Sequence, residues 1–392
     1  MRSAYAVYCQ IFVSAINFII FLVFTNNLSP EQFVLFSTAV GLSVLAYAVA
    51  EGGISYVAPK ALSNNDYKGD TAKLAGAFIG ISVIIYIFTT IIGYYLWGIL
   101  SNDPLSAIWV VCYLCYFLPV MILPSWATFK SIKLPEVILL TLTRLGGAAY
   151  LWIATSYINL AGVALFNGLI SLIIIYRINN TIRSVALPSH VEIKASLGYL
   201  KEVFLSKTLA YSIYSLLPLV IAVAYGNSAS AIYVLGERLK SMYTTIVQPI
   251  IQIAYLKFCG DKAFFQSKMI IGIVSMLSFN FVLGLTIYLV FRFEVAFYFF
   301  ERFRDIGEYY YYILAAFTSV SSAVILYFYI LPNSMLKVFR ASTFMQVIVF
   351  ILLFAIMTST NALSPALVLF LGELALLMSI LFFIFKKKNG EN

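Results

Sequence analysis

The sequence predicts an all-α polytopic membrane protein of about twelve transmembrane helices in two six-helix bundles, with the N and C termini cytoplasmic. Three observations predict it. Hydrophobic residues fill 62% of the 392 positions and charged residues only 10%, against about 25% charge in soluble domains, so lipid must be the solvent for most of the surface. A spanning helix needs ~20 apolar residues, so twelve spans with short connections use nearly the whole chain. Basic residues collect in alternate breaks between the apolar runs, as retention of positive charge on the cytoplasmic side requires.

Apolar runs place the spans near 4–25, 33–57, 74–98, 105–127, 137–156, 160–178, 207–225, 231–256, 269–291, 310–332, 341–358 and 363–385. The first run follows Arg2, is too long for a signal-peptide core and lacks a small-residue cleavage pattern after it, so it reads as a retained helix. Turn chemistry marks the reversals: NNLSPEQ before the second span, SNDP before the fourth, YGNSAS between the seventh and eighth. With the N terminus inside, nineteen of the 25 Lys and Arg are cytoplasmic, Lys207 among them. Arg292, Arg302 and Arg304 lie outside, and Arg144, Arg238 and Lys240 within spans. The net charge of +9 is then a basic inner face, which anionic lipid accounts for without any nucleic acid partner.

The longest polar stretch, Arg177 to Lys207, divides the spans six and six. The expected organisation is an N-terminal bundle over 1–178, a cytoplasmic connecting loop with an interfacial helix over 179–206, a C-terminal bundle over 207–385 and a basic tail over 386–392. The segment IKASLGYLKEVFLSK mixes apolar and basic residues as an interfacial helix does.

Enzyme chemistry finds little support. His190 is the only histidine, which removes His-based triads and multi-His metal sites within this chain. Cys112 and Cys115 form a C-x-x-C inside an apolar run without further ligands and read as buried thiols. No catalytic residue, metal or cofactor is expected.

Ionisable side chains deep in spans cost ~2.5 to 3.5 kcal/mol each on insertion scales and are site candidates by default. Arg144 lies on a stripe with Thr141, Gly147 and Ala148, which leaves space beside a cation and favours a cavity over snorkelling. Span 8 is the most polar, with Tyr233, Glu237, Ser241, Thr244, Gln248 and Gln252 recurring at helical spacing and Arg238 and Lys240 on flanking faces. Helix-to-helix hydrogen bonding is the bland reading of that stripe, and a polar lumen is the sharper one. Glu373, ten residues into span 12, is the first candidate for proton coupling, with a static salt bridge to another helix as the alternative. Glu51 precedes Gly52 and Gly53 near the end of span 2 and is the second candidate, the alternatives being an end cap or a pair with Lys60.

The stretch LSPEQFVLFSTAVGLSVLAYAVAEGG in the first hairpin, the Arg144 span, and LPLVIAVAYGNSASAIYVLGERLKS in spans 7 and 8 resemble the polysaccharide-transport flippases, Wzx-type O-antigen and lipid-linked oligosaccharide exporters of the multidrug/oligosaccharidyl-lipid/polysaccharide superfamily. Val34 and Ile232 stand where a glycine often follows the acidic turn in that family. The resemblance implies two six-helix bundles around a central cavity and a bacterial inner-membrane location. It implies alternating access coupled to an ion gradient, moving an undecaprenyl-diphosphate-linked glycan from the cytoplasmic to the periplasmic leaflet. Arg144, Arg238, Lys240, Glu237, Gln248 and Thr244 would line the cavity, and polymerase and chain-length proteins of the same pathway are further candidate partners. The rival expectations are a MATE-like or major-facilitator exporter of small molecules and, behind them, a membrane polysaccharide polymerase.

Overall fold

Consecutive glycines, proline positions and helix caps set where this chain breaks, and long apolar helices fill the rest. The computed structural model describes residues 45, 48–63, 67, 69–101, 186–260, 262–295, 304, 306–360 and 363–388. The expected spans 1, 4, 5 and 6, with Arg144, Cys112 and Cys115, lie outside the described residues. Among the described residues the helices are α1 (Ile54–Ser63), α2 (Thr71–Ser101), α3 (His190–Tyr225), α4 (Asn227–Gly260), α5 (Lys262–Arg292), α6 (Tyr309–Ile325), α7 (Leu336–Thr360) and α8 (Pro365–Lys388). Six stretches are long and apolar enough to cross a membrane: Thr71–Thr89, Val203–Tyr225, Ser267–Arg292, Tyr309–Ile330, Leu336–Thr360 and Pro365–Lys387. The protein is a multi-pass membrane protein. Helix α4, expected as span 8, is not among the six, because Glu237, Arg238 and Lys240 interrupt its apolar character.

The chain forms two compact units, and the boundary falls inside α3, between Tyr211 and Ser212. From His190 the segment expected to hold an interfacial helix leading into span 7 is helical, and as α3 it runs unbroken through Lys207 to Tyr225. Ser189 precedes the helix, and Glu192 in its first turn accepts from both the Ser189 backbone N–H, at 2.9 Å, and the Ser189 hydroxyl. That closes the helix start and removes any reason for a break before the span.

In the first unit, α1 and α2 form a hairpin whose second helix is capped by Asp70, with the Ala72 N–H donating to Asp70 Oδ1 at 2.9 Å. Leu74, Ala75, Ala77 and Phe78 are buried, while Ile84, Ile87, Phe88, Ile91 and Ile92 stay exposed, as a lipid-facing side requires. The helix before α1 ends at Glu51. Gly52 and Gly53 follow at φ +57° and +89°, values that glycine adopts without a Cβ penalty. Space demands glycine as well, since a Cβ on Gly53 would lie 2.6 Å from Val203 Cγ1.

In the second unit α6 is central, packing against α4, α5 and α8, while α7 packs on α8. Its span is 67% buried against 17% for α5, so α5 faces outward with Ile270, Ile271, Val274, Phe281 and Val282 exposed. Asn280 is the polar exception on α5. Its Nδ2 donates to Ser321 Oγ at 3.0 Å and its Oδ1 accepts from the Tyr243 hydroxyl at 2.7 Å, joining three helices through one buried amide. Gly226, at φ +86°, makes the turn between α3 and α4 that YGNSAS predicted. After α6 the chain winds into a π-helical turn, Leu326–Ile330, with Leu331 N–H bonded to Leu326 O at 2.9 Å. Pro332 lacks an N–H for the next helical bond, and the wider turn carries the helix to its end there.

Candidate functional site

Four helices of the second unit each send one side chain to a single buried polar cluster. From α8, Glu373 lies 1% exposed and pairs with Lys240 of α4 through its Oε1. The Tyr214 hydroxyl of α3 donates to the same oxygen at 2.8 Å, and Gln346 Nε2 of α7 donates to the Tyr214 hydroxyl at 2.8 Å. The Lys240 ammonium also stands over the Tyr214 ring, 4.1 Å from its centroid, where the ring quadrupole attracts a cation. Both contacts to the carboxylate fall on Oε1. The walls are tight: Phe350 meets Tyr214 edge-on with centroids 5.8 Å apart, and a Cβ on Gly372 would come within 2.3 Å of the Phe350 ring. Gly236 of α4 is equally close to Tyr312, at 2.2 Å. Two glycines therefore let helices approach closely on either side of the pair.

Next to the pair lies a polar group without a partner. The Tyr233 hydroxyl, on a side chain 1% exposed, makes no hydrogen bond. It is within electrostatic range of Tyr214, Glu237, Tyr312 and Glu373. Buried hydroxyls ordinarily find a partner.

The first unit contains a second buried pair. Glu51 accepts from the Gly53 N–H at 3.0 Å and pairs with Lys207 of α3. Glu51 is 3% and Lys207 5% exposed, and the ammonium lies 4.9 Å from the Tyr56 ring centroid and 5.8 Å from that of Tyr211. The carboxylate thus caps the break made by Gly52 and Gly53 while its charge is balanced across to α3. A partner of Glu51 is Lys207, counted in the sequence among the loop cations; the side chain of Lys60 lies outside the described residues.

Of the expected site residues, Lys240 of the cavity set and Glu373, the candidate for proton coupling, are brought together. Glu237 and Arg238 are half-buried on the same helix, Gln248 is exposed, and Thr244 donates to its own backbone at Ser241 O, 2.9 Å away. Arg144 lies outside the described residues. Tyr214, Gln346 and Lys207 were not expected at a site. The first two are ordinary polar interruptions of apolar helices, and only their meeting with Glu373 distinguishes them. Among the described residues no three His, Cys, Asp or Glu side chains come together in a way that would hold a metal.

No family model matches the sequence, and no curated protein matches it. Solved structures do resemble it. A eukaryotic MATE transporter superposes with a TM-score of 0.73 at 10% identity, over 98% of this chain and 95% of that one. A Vibrio cholerae MATE transporter gives 0.65 at 14% identity over 99% and 96%. A MOP-superfamily transporter from Pyrococcus furiosus gives 0.57 at 12% identity over 99% and 95%. At these identities the likeness is one of fold, and it extends from end to end: the chain has the fold of the MATE transporters of the MOP superfamily.

Proposed function

We propose that the protein is a secondary transporter that exports a small organic solute by alternating access, a MATE-like exporter. The observation that carries the reading is the fold similarity over 98% of the chain to a MATE transporter of which 95% is covered. Two buried ion pairs add to it, since ionisable groups inside spans are expensive and mark solute or ion paths. The reading includes twelve spans, cytoplasmic termini and a bacterial inner-membrane location, in keeping with the sorting of Lys and Arg in the sequence. The reading also takes the protein as a transporter and not an enzyme, with which the same fold likeness is consistent.

A second reading, flipping of an undecaprenyl-diphosphate-linked glycan, is favoured by the sequence resemblance of the first hairpin and of spans 7 and 8. Within it Arg144, Arg238 and Lys240 would contact phosphate or acidic sugars. Purified protein in proteoliposomes under an imposed proton gradient, challenged with a panel of amphipathic organic solutes, tests the first reading: gradient-dependent movement supports it, and an inert protein against the whole panel overturns it. A deletion strain tests the second. Loss of surface polysaccharide with lipid-linked units retained in the inner leaflet supports it, and normal surface glycan removes it.

A further inference from the structure

We propose that Tyr243 of α4, with Asn280 and Gly284 of α5, forms a hinge in the second unit: the Tyr243 hydroxyl enters the backbone rung between Asn280 O and the Gly284 N–H, and the end of α5 beyond Gly284 swings on it. The inference goes beyond the transporter reading and rests on it only for the use of the motion, which opens one side of the unit.

The hydroxyl stands at the rung. An α-helix joins the carbonyl of residue 280 to the N–H of residue 284. The Tyr243 hydroxyl lies 2.6 Å from Asn280 O, and the Gly284 N–H donates to its oxygen. A side chain inserted into this ladder is one of the identifiable causes of a helix kink. Gly284 leaves the room, since a Cβ there would lie 3.0 Å from the hydroxyl oxygen. Glycine inside a helix is otherwise a cost.

Proton count gives the junction two states. A phenol has one proton, and two acceptors of Asn280 compete for it, the backbone O at 2.6 Å and Oδ1 at 2.7 Å. When the proton goes to Oδ1, Asn280 O is left for the Gly284 N–H and the rung closes. When it goes to Asn280 O, the hydroxyl bridges the rung, both backbone groups stay bonded, and Oδ1 loses its donor. The Asn280 side chain stays put in either state, because its Nδ2 is held by Phe317 O and Ser321 Oγ of α6, both at 3.0 Å. Tyr243 is 1% and Asn280 0% exposed, so these groups have only one another to bond.

The two sides of the junction differ in what holds them to α6. At Asn280 the tie is a hydrogen-bonded amide. Beyond Gly284 the contacts include the rings of Phe291 and Tyr288, 5.3 and 6.5 Å from that of Tyr309 between centroids. Ring contacts can slide or part without leaving a buried polar group bare. The fixed part of α5 therefore ends at the amide, and the movable arm runs from Leu285 to Arg292.

Spin labels at Arg292→Cys on α5 and Ile232→Cys on α4 report the arm by pulsed-EPR distances in the purified full-length protein, with Cys9, Cys112, Cys115 and Cys259 replaced by serine. Position 292 lies eight residues past Gly284, ~12 Å of helix, so a kink of about 20° moves it by about 4 Å. With Tyr243 and Gly284 intact the labels should show two distance populations. Tyr243→Phe, which removes the inserting group, and Gly284→Ala, which closes the space for it, should each keep one. Ser321→Ala, which loosens the same amide and leaves the rung alone, should keep both. A control pair before the junction, Val274→Cys with Phe344→Cys, should give one distance throughout. A single population with the native residues, two populations in either Tyr243→Phe or Gly284→Ala, a collapse to one in Ser321→Ala, or two at the control pair each overturns the proposal. These distances require no transport. An arm that moves as described in a protein that exports no solute in proteoliposomes would refute the exporter reading and leave the hinge standing.

Discussion

The Glu51–Lys207 pair offers the most quantitative test of how this fold is held together. Both side chains are at most 5% exposed, so the pair belongs to the buried regime, in which removing one partner leaves an uncompensated charge and costs about 3 to 5 kcal/mol. Exposed pairs, by contrast, are worth about 0 to 1 kcal/mol. Lys207→Met strands the carboxylate and Glu51→Gln strands the ammonium, and each single variant should lose about 3 to 5 kcal/mol. Gln at position 51 keeps an acceptor for the Gly53 N–H, 3.0 Å away in the native protein. Glu51→Leu removes it and should lose a further ~1 to 3 kcal/mol for the orphaned donor. The double variant Glu51→Gln/Lys207→Met removes both charges of this pair and should recover more than half of either single loss. Unfolding titrations with dodecyl sulfate in mixed micelles, followed by intrinsic fluorescence, measure the four variants against the wild type. Single variants within ~1 kcal/mol of the wild type, or a double variant no more stable than the weaker single, would refute the reasoning, because they would place the pair in the surface regime.

Three further outcomes are expected. Tyr214→Phe removes the donor to Glu373 and orphans Gln346, and should cost about 1.5 to 3 kcal/mol in the same titration, with solute export reduced at equal expression; a loss below ~0.5 kcal/mol would mean the hydroxyl is dispensable. Gly372→Ala drives a Cβ to 2.3 Å from the Phe350 ring and should destabilise by about 1 to 3 kcal/mol through overpacking, with Phe350→Ala in the same chain relieving the clash. The third concerns pH. Hydrogen bonds from Ser189 hold the Glu192 carboxyl below the usual carboxylate range despite partial burial. Its folded value is the lower one, so its stabilisation is present above the ordinary carboxyl range and lost as pH falls through the folded value. Thermal unfolding from pH 7 to 3 should show an acid-sensitive component in the wild type that Glu192→Gln lacks, and identical pH profiles would remove Glu192 from the helix cap.

Much of the fold was legible because it is written in one dimension. The spans that became α2, α5, α6, α7 and α8 are apolar runs of membrane length; the ends of α2 and α8 fell within three residues of the expected ones, while α5 and α7 begin earlier than expected and α6 ends earlier, where the π-helical turn takes over. Gly226 was foreseen as a turn because glycine next to Asn227 and Ser228 is local chemistry. The sequence placed an interfacial helix leading into span 7 but left open that the two form one unbroken helix, α3. Polar and basic residues from His190 onward dilute its hydropathy, and the Ser189 and Glu192 contacts that start it weigh little against a loop-like composition.

The candidate site was legible by halves. Glu373 and Lys240 were conspicuous because a charge deep in an apolar run is costly wherever the helix lies, and that follows from sequence alone. Their partners were not. Nothing in the order of residues says that α4 and α8 approach closely enough for a salt bridge, or that Tyr214 and Gln346, 132 positions apart, share a hydrogen bond. Lys207 shows the same limit. The sequence placed it with the loop cations, and only the packing of α3 against the Gly52–Gly53 break put it opposite Glu51. By itself the sequence determined that this chain lives in lipid, where it breaks, and which side chains are too expensive to be idle, because hydrophobicity and turn propensity act locally. The tertiary structure alone decided which charge meets which, because an ion pair depends on a few ångströms between helices that are far apart in the chain.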